Sequence, residues 1–407
     1  MPTFPELQNG LYNFMMQALG LTNASNFQLI QPAVPFPAPA TTDAIVWAWM
    51  NQIPPFALMQ SGGGGDQFFS DYEAVMSSLT PSINIDFAGD IGSAANSAWN
   101  SYLASLTNPP AVTQLPSLFF NWAFTHGYYS VADKGSSDLS AMLLEPIYRA
   151  QLALQPYLTI TGVHTGKPPD WSMGHAQLVS QLNTAPNKTL STSNVGSNSD
   201  VSSSWAAGGS SGGFFLWGGG SSSSNSSMSA SFASQAVSVA VSFDHVLSFV
   251  PVPGAWYDSA AFGMAYASQT GSPWNPAAPE LTWAKTFGPS GNMQRFASAL
   301  IVVSGMKVTV TSAYAFSSAE QTTITQNSSA GFWPFYSSSS SSSITTSHSF
   351  NKAGNLSITT NSVGNVPTLI GMIVLPAANY LGYASAGKTK FLQLVSLQQV
   401  SLEKFIG

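Results

Sequence analysis

Cysteine is absent from all 407 residues, which excludes a disulfide framework, a thiolate-held zinc, an iron–sulfur cluster and a thiol nucleophile. Charge is nearly as scarce, with Asp, Glu, Lys and Arg making up 7% of the chain against about a quarter in an ordinary soluble domain. The polar surface must then be built from Ser, Thr, Asn, Gln and Gly. Such a surface resists self-association poorly, because like-charge repulsion is what holds most proteins apart, and a homo-oligomer is expected. The first basic side chain is Lys134, and none lies between Lys188 and Lys285. Without a basic cluster there is no source of counterion release, so nucleic acid is excluded as an expected partner.

Long apolar runs are missing too. The segment Phe4–Leu21 is broken by Glu6, Gln8, Asn9 and Asn13 and has no basic flank, unlike a Sec-type signal. The longest apolar run, Val366 to Leu381, falls short of the ~20 residues of a spanning helix and contains Pro367 and Pro376. The expectation is a chain with neither element, held in the cytoplasm or released by a non-classical route.

What is present argues for a folded protein. Hydrophobic residues make up 44%, a globular fraction, and the low net charge is the opposite of a disordered composition. Charge divides the chain: residues 1–150 hold ten acids against Lys134 and Arg149, and the remainder holds seven acids against nine bases. Helical spacing runs through the acidic part. Phe68, Phe69, Tyr72, Val75, Met76 and Leu79 share one face, as do Ile91, Ala94, Ala95, Ala98, Trp99, Tyr102, Leu103 and Leu106. Further helices are expected at Leu7–Leu19, Asp43–Asn51 with Thr42 as cap, Pro116–Thr125, and Ser137–Leu154 with a break at Pro146.

From about Tyr157 the period becomes two. Val237, Val239, Val241 and Phe243 alternate with Ser238, Ala240 and Ser242, and Val308, Val310, Tyr314 and Phe316 alternate with Lys307, Thr309, Thr311 and Ala315. Strands are also expected at Leu158–Val163, Ser229–Ala233, Ala299–Val303, Thr322–Gln326, Ile344–Phe350, Leu356–Thr360, Leu369–Leu375 and Phe391–Leu397, with Gly254–Gly288 as a long ordered loop. The fold class is therefore α+β: a helical domain over residues 1–155 and an antiparallel β-rich domain, sandwich or barrel-like, over 156–407.

An internal repeat stands out. Gly213–Phe232 (GFFLWGGGSSSSNSSMSASF) and Gly331–Phe350 (GFWPFYSSSSSSSITTSHSF) align without a gap, and nine of twenty positions are identical. Both are expected to form equivalent aromatic/Ser-rich hairpins within one β domain. Their aromatic residues, Phe214, Phe215, Trp217, Phe332, Trp333, Phe335 and Tyr336, either plug the ends of a β core or form apolar tips that contact a membrane or a partner subunit.

Chemistry-bearing patterns are weak. Gly62–Gly65 precedes a helix, but Asp66 stands where a phosphate would sit and the P-loop Lys is missing. G-x-S-x-G occurs around Ser210 and Ser211 in low-complexity sequence without the strand-to-helix context of a nucleophile elbow. The histidines, His126, His164, His175, His245 and His348, lack metal-ligand spacing. Asp66, Asp71 and Glu73, or Asp86 and Asp90, could pair for acid–base work or calcium, and Asp66 and Asp71 are more simply favourable charges near a helix N-terminus. Glu145 and Arg149 are spaced as an i,i+4 ion pair. Asp170, Trp171, His175 and Trp274 sit in loop sequence from which a tryptophan could stack on a sugar.

No catalytic residue, cofactor or metal is expected from these patterns. The leading expectation is a non-enzymatic, self-assembling β-protein, with membrane insertion of its Ser/Thr-rich hairpins in the manner of a pore-forming toxin as one route. The alternatives are a structural or filament-forming protein without membrane contact, and a carbohydrate-binding module or enzyme built on the loop Trp, His and Asp residues.

Overall fold

The computed structural model describes residues 3–21, 26–36, 42–56, 59–60, 67–107, 110–159, 166–192, 215–218, 222–336 and 343–383. The chain begins with α1 (Phe4–Leu19), β1 (Phe27–Pro35), α2 (Thr42–Met50), β2 (Met59–Gln60) and α3 (Phe68–Ser78). A helical run follows: α4 (Phe87–Ile91), α5 (Ser93–Ser105), α6 (Leu115–Thr125), α7 (Ala132–Leu144), α8 (Pro146–Leu154) and α9 (His175–Asn183). Then come β3 (Lys188–Thr192), α10 (Ser223–Ala233), β4 (Val237–Phe243), β5 (His245–Phe249), α11 (Ser259–Ala267) and α12 (Trp283–Thr286). The last elements are β6 (Arg295–Ser304), β7 (Lys307–Ala315), α13 (Ser318–Gln326), β8 (Ile344–Phe350), β9 (Asn355–Ser362), β10 (Thr368–Pro376) and α14 (Ala377–Tyr380). The architecture is α+β, with helices ahead of the main β region.

Two sheets organise the layers. Sheet 1 has the order β2-β1-β10-β6-β5 and is antiparallel except for the short β1–β2 pair. Its central strands, RFASALIVVS and TLIGMIVLP, are almost unbroken apolar runs, as required of strands covered on both faces. One face, with Phe27, Leu29, Ile301, Val303 and Ile370, packs into the core shared with sheet 2. The other, with Ile30, Leu300, Val302, Met372 and Val374, packs against α2, α3, α8, α9 and α11. Strand β1, although it lies within the first 155 residues, is hydrogen-bonded to β10 and so ties the start of the chain to its far end. Its register shifts between Leu29 and Val34, the stretch that contains Pro32, which has no N–H to give to the ladder.

Sheet 2 has the order β3-β4-β7-β9-β8, antiparallel throughout. Here the two-residue period holds: Val237, Val239, Val241, Val308, Val310, Leu356 and Ile358 are buried, and the residues between them form the opposite face. That face is a hydroxyl array, with Thr309 and Thr359 joined at 3.1 Å and Thr311 and Ser357 at 2.8 Å. A third core lies among α4–α8, where Trp99, Phe119 and Trp122 form an aromatic centre with ring centroids 5.1 to 5.6 Å apart.

Several expectations are corrected. Ser229–Ala233 is the end of α10, whose N-terminus is capped by Ser222, and whose Asn225, Ser229, Phe232 and Ala233 occupy one buried helical face. Thr322–Gln326 is the end of α13, started by a capping box in which Ser317 and Glu320 bond each other's backbone N–H. The expected loop Gly254–Gly288 contains α11 and α12, each capped by a side chain, Asp258 and Thr282. The two repeat copies are not equivalent hairpins: Ser-Ala-Ser-Phe at 229–232 is helical, while Ser-His-Ser-Phe at 347–350 is strand. The β-branched run Ile344–Thr346 suits a pleated strand, and no such run stands at the matching place in the first copy. Strands expected at Phe391–Leu397 and over most of Leu158–Val163 lie outside the described residues.

Candidate functional site

Although their second halves diverge, the aromatic halves of the two repeats meet. Trp217 and Phe332 form an isolated antiparallel bridge. Gly218 N–H donates to the Gly331 carbonyl at 2.9 Å, Trp333 N–H to the Leu216 carbonyl at 2.9 Å, and the Tyr336 hydroxyl to the Phe215 carbonyl at 2.8 Å. Helix α10 supports this junction from one side. The Asn225 amide donates to the Trp217 carbonyl at 2.9 Å, and Leu216 N–H donates to the Ser229 hydroxyl at 2.7 Å. Helix α1 supports it from another, with Phe4 edge-on to Trp333 at 5.5 Å.

Of the seven aromatic residues singled out in the sequence, Trp217, Phe332, Trp333 and Phe335 are buried, and Phe215 and Tyr336 are half-buried. Phe214 lies outside the described residues. The described residues Trp217, Phe332, Trp333 and Phe335 belong to the core shared by the two sheets, with Tyr336 packed against it. Burial pushes the Tyr336 hydroxyl well above the usual phenol range, as expected where the anion would be desolvated.

The loop residues considered for sugar binding are structural in this conformation. Trp171 packs between Phe68 and Trp256, at 6.0 and 5.5 Å, and Trp274 donates its indole N–H to the Ser268 carbonyl at 2.6 Å. Both rings are buried, so neither offers a face for stacking. Asp170 accepts from the Tyr157 hydroxyl at 2.8 Å, and its carbonyl receives the Trp256 indole N–H at 2.8 Å. His175 begins α9, its ring Nε2 3.0 Å from the Phe36 carbonyl.

The charged residues assemble as supports. Asp86 caps α4 through Gly89 N–H at 3.0 Å, and Asp90 and Asp138 share Lys134. Glu73 receives the Ser77 hydroxyl at 3.1 Å, whereas Asp66 and the segment Gly62–Gly65 lie outside the described residues, as do Ser210 and Ser211. Arg149 corrects the sequence reading. Its guanidinium binds Asp258, 109 residues downstream, and Glu145 instead caps α8 by accepting Tyr148 N–H at 2.8 Å. Among the described residues no three His, Asp or Glu side chains gather as metal ligands, and no helix is long and apolar enough to cross a membrane.

The remaining feature, which the sequence reading identified as a strand but not as an edge, is β8. Among the described residues it is the last strand of sheet 2, with β9 as its strand neighbour and a regular seven-residue register from Ile344↔Ser362 to Phe350↔Leu356. Sheet edges are commonly blunted by lysine, proline or a bulge, because an open edge offers unpaired N–H and C=O groups to any other chain. Strand β8, ITTSHSF, has none of these. Thr345, Ser347 and Ser349 are exposed. On its inner face, His348 packs against Phe332 at 5.2 Å and lies 3.3 Å from the Thr325 hydroxyl of α13, so the edge strand abuts the aromatic junction.

No family model, curated protein or solved structure matches the chain.

Proposed function

We propose that this chain is a non-enzymatic, self-assembling β-protein that functions by joining to further copies of itself. The observation that carries the reading is the uncharged edge of sheet 2 at β8, beyond which no further strand lies among the described residues. Backbone pairing at such an edge supplies affinity without a large apolar patch, and a surface with few charges supplies little repulsion to oppose it. The charged side chains with assigned partners act as caps and ion pairs, which supports a scaffold rather than a reaction centre. Sedimentation velocity over a hundredfold concentration range tests this. A sedimentation coefficient that rises with concentration is the expected result, and a constant monomer value would overturn it.

Membrane insertion is a second reading, favoured by the two-faced character of sheet 2. Strands β4, β7 and β9 are 7 to 9 residues long and carry mainly Val, Leu and Ile with Phe243 and Tyr314 on one side, and Ser, Thr, Ala and Asn with Lys307 on the other. That pattern approaches the ~9–11 alternating residues of a membrane strand. Dye release from neutral and anionic liposomes separates the readings: leakage supports insertion, and concentration-dependent assembly without leakage supports a structural or filament-forming role.

A further inference from the structure

Arginine occurs twice in the 407 residues, as Arg149 and Arg295, and the fold uses the two in opposite ways. Arg149 fills one edge of its guanidinium with a carboxylate: Nε donates to Asp258 Oδ2 at 2.5 Å and Nη2 to Asp258 Oδ1 at 3.2 Å. That edge is a planar two-donor fork matched to the two oxygens of a carboxylate. Arg295, the first residue of β6, instead turns Nη1 to the Pro55 carbonyl, at 2.6 Å. Among the described residues its Nε and Nη2 meet no acceptor, and it forms no ion pair. The side chain is half-buried, so its free edge is not sealed in the interior.

Two further contacts hold that guanidinium in one orientation. The Pro55 carbonyl also accepts Gln28 Nε2 at 2.7 Å, and Gln28 is wholly buried on β1, so the acceptor is itself fixed. The Phe56 ring lies against the flat face of the guanidinium, with Cζ 4.6 Å from the ring centroid. Phe56 is 57% exposed, which leaves an open apolar surface beside the fork. Burial moves the Arg295 pKa below its ordinary value, whereas Asp258 holds that of Arg149 above it. A partly desolvated cation without a counter-charge is a costly arrangement, and an anion at the free edge would offset that cost.

We infer that the free edge of Arg295 binds the carboxylate of a small molecule with an aromatic or other apolar body, the carboxylate in the plane of the guanidinium and the body beside Phe56. This site is independent of the self-assembly reading and of β8. With Nη1 committed to Pro55, one two-donor edge remains, and a planar two-oxygen group fills it completely, as Asp258 does on Arg149. A phosphate brings more charge and more oxygens, and the contacts of Arg295, Pro55 and Phe56, supply no second cation to meet them. One fork and one ring give modest affinity, with a dissociation constant on the order of 1–10 mM for a ligand the size of benzoate. Contact with the Phe56 ring is expected to make benzoate bind about fivefold tighter than acetate.

Two arginines mean two Nε–H signals in the nitrogen-15 magnetic resonance spectrum of the full-length protein, one reporting the site and the other, from Arg149, serving as internal standard. At constant ionic strength, benzoate is expected to move the Arg295 signal saturably and to leave that of Arg149 in place. Acetate is expected to act about fivefold more weakly, and inorganic phosphate no more strongly than acetate. Arg295→Lys assigns the signal and keeps the charge but not the fork, so benzoate binding, read from broadening of the ligand's own signals, is expected to fall at least about fivefold. Phe56→Ala is expected to bring benzoate down to the level of acetate, and an unchanged backbone amide spectrum shows that each variant is folded. An Arg295 signal that benzoate moves no more than that of Arg149, a stronger response to phosphate than to benzoate, or a Lys variant that binds benzoate as well as the parent would overturn the site. Each of those results leaves self-assembly standing, and a monomer at every concentration leaves the carboxylate site standing.

Discussion

Trp217 and Phe332 face one another across a single antiparallel bridge, so the aromatic halves of the internal repeat are neighbours in space as well as related in sequence. The contact is close enough that side-chain size is limiting at Gly218, where a Cβ would press against the Ala330 carbonyl oxygen. Gly218→Ala is expected to force the two segments apart at a cost of about 1–3 kcal/mol. Phe332→Ala, which empties a buried ring site, is expected to cost about 3–5 kcal/mol. Urea unfolding followed by circular dichroism measures both. A Gly218→Ala protein as stable as the parent would mean that the bridge does not hold the core closed.

Arg149 and Asp258 form a second long-range tie, joining α8 to the start of α11. Asp258 has two tasks, since it also accepts Ala260 and Ala261 N–H, each at 3.0 Å, as the cap of α11. Asp258→Ala removes both and is expected to cost about 2–4 kcal/mol. Asp258→Asn keeps a capping oxygen and is expected to cost about half as much. Glu145→Gln retains the acceptor for Tyr148 N–H and is expected to be milder than either, which the i,i+4 reading of Glu145 with Arg149 would not give. Thermal denaturation of the three variants decides the order.

The sequence disclosed the strands of sheet 2 because one face meets water and the other does not, and that contrast is what a two-residue period records. It concealed β1 because FQLIQPAVP is covered on both sides and broken by prolines, so no alternation survives. Helix α13 was legible in principle from Ser317 and Glu320, the S-x-x-E of a capping box, but its Thr-rich interior resembles a strand. The repeat was visible as letters, yet composition alone could not say that serines in one copy would cap and line a helix while those in the other would form an edge. The pairing of Trp217 with Phe332 and of Arg149 with Asp258 depends on contacts more than 100 residues apart, which no local pattern encodes.

Six tyrosines make the fold sensitive to base. Burial pushes the Tyr380 hydroxyl up to about 12, and raises Tyr12, Tyr72, Tyr157, Tyr257 and Tyr336 further. Below pH ~10, the ordinary phenol value, each is protonated in both the folded and the unfolded chain, and its contribution is intact. Above that, the unfolded chain releases protons that the folded chain retains, so stability falls with rising pH, for Tyr380 across the window from 10 to about 12. Denaturant midpoints at pH 9, 10, 11 and 12 are expected to decline, with tyrosinate absorbance appearing together with unfolding. A flat profile over that range would show that these hydroxyls are reached by solvent.

His348 gives the opposite limb. Burial lowers its pKa from the ordinary value near 6.5: among the described residues its neighbours are the Thr325 hydroxyl, Phe332 and Phe350, none of them charged. Above pH ~6.5 the ring is neutral in both states and its contribution is complete. As pH falls below that value the unfolded chain takes up a proton that the folded chain resists, and stability drops until the folded ring itself titrates. Protonation there also charges the edge strand where it rests on the aromatic junction, so loss of order is expected first at β8. His348→Gln is expected to flatten the stability profile between pH 5 and 7, and hydrogen exchange is expected to show the β8 amides losing protection in acid in the parent but not in the variant. If parent and Gln variant lose protection alike, the acid sensitivity of the edge comes from carboxylates elsewhere in the chain.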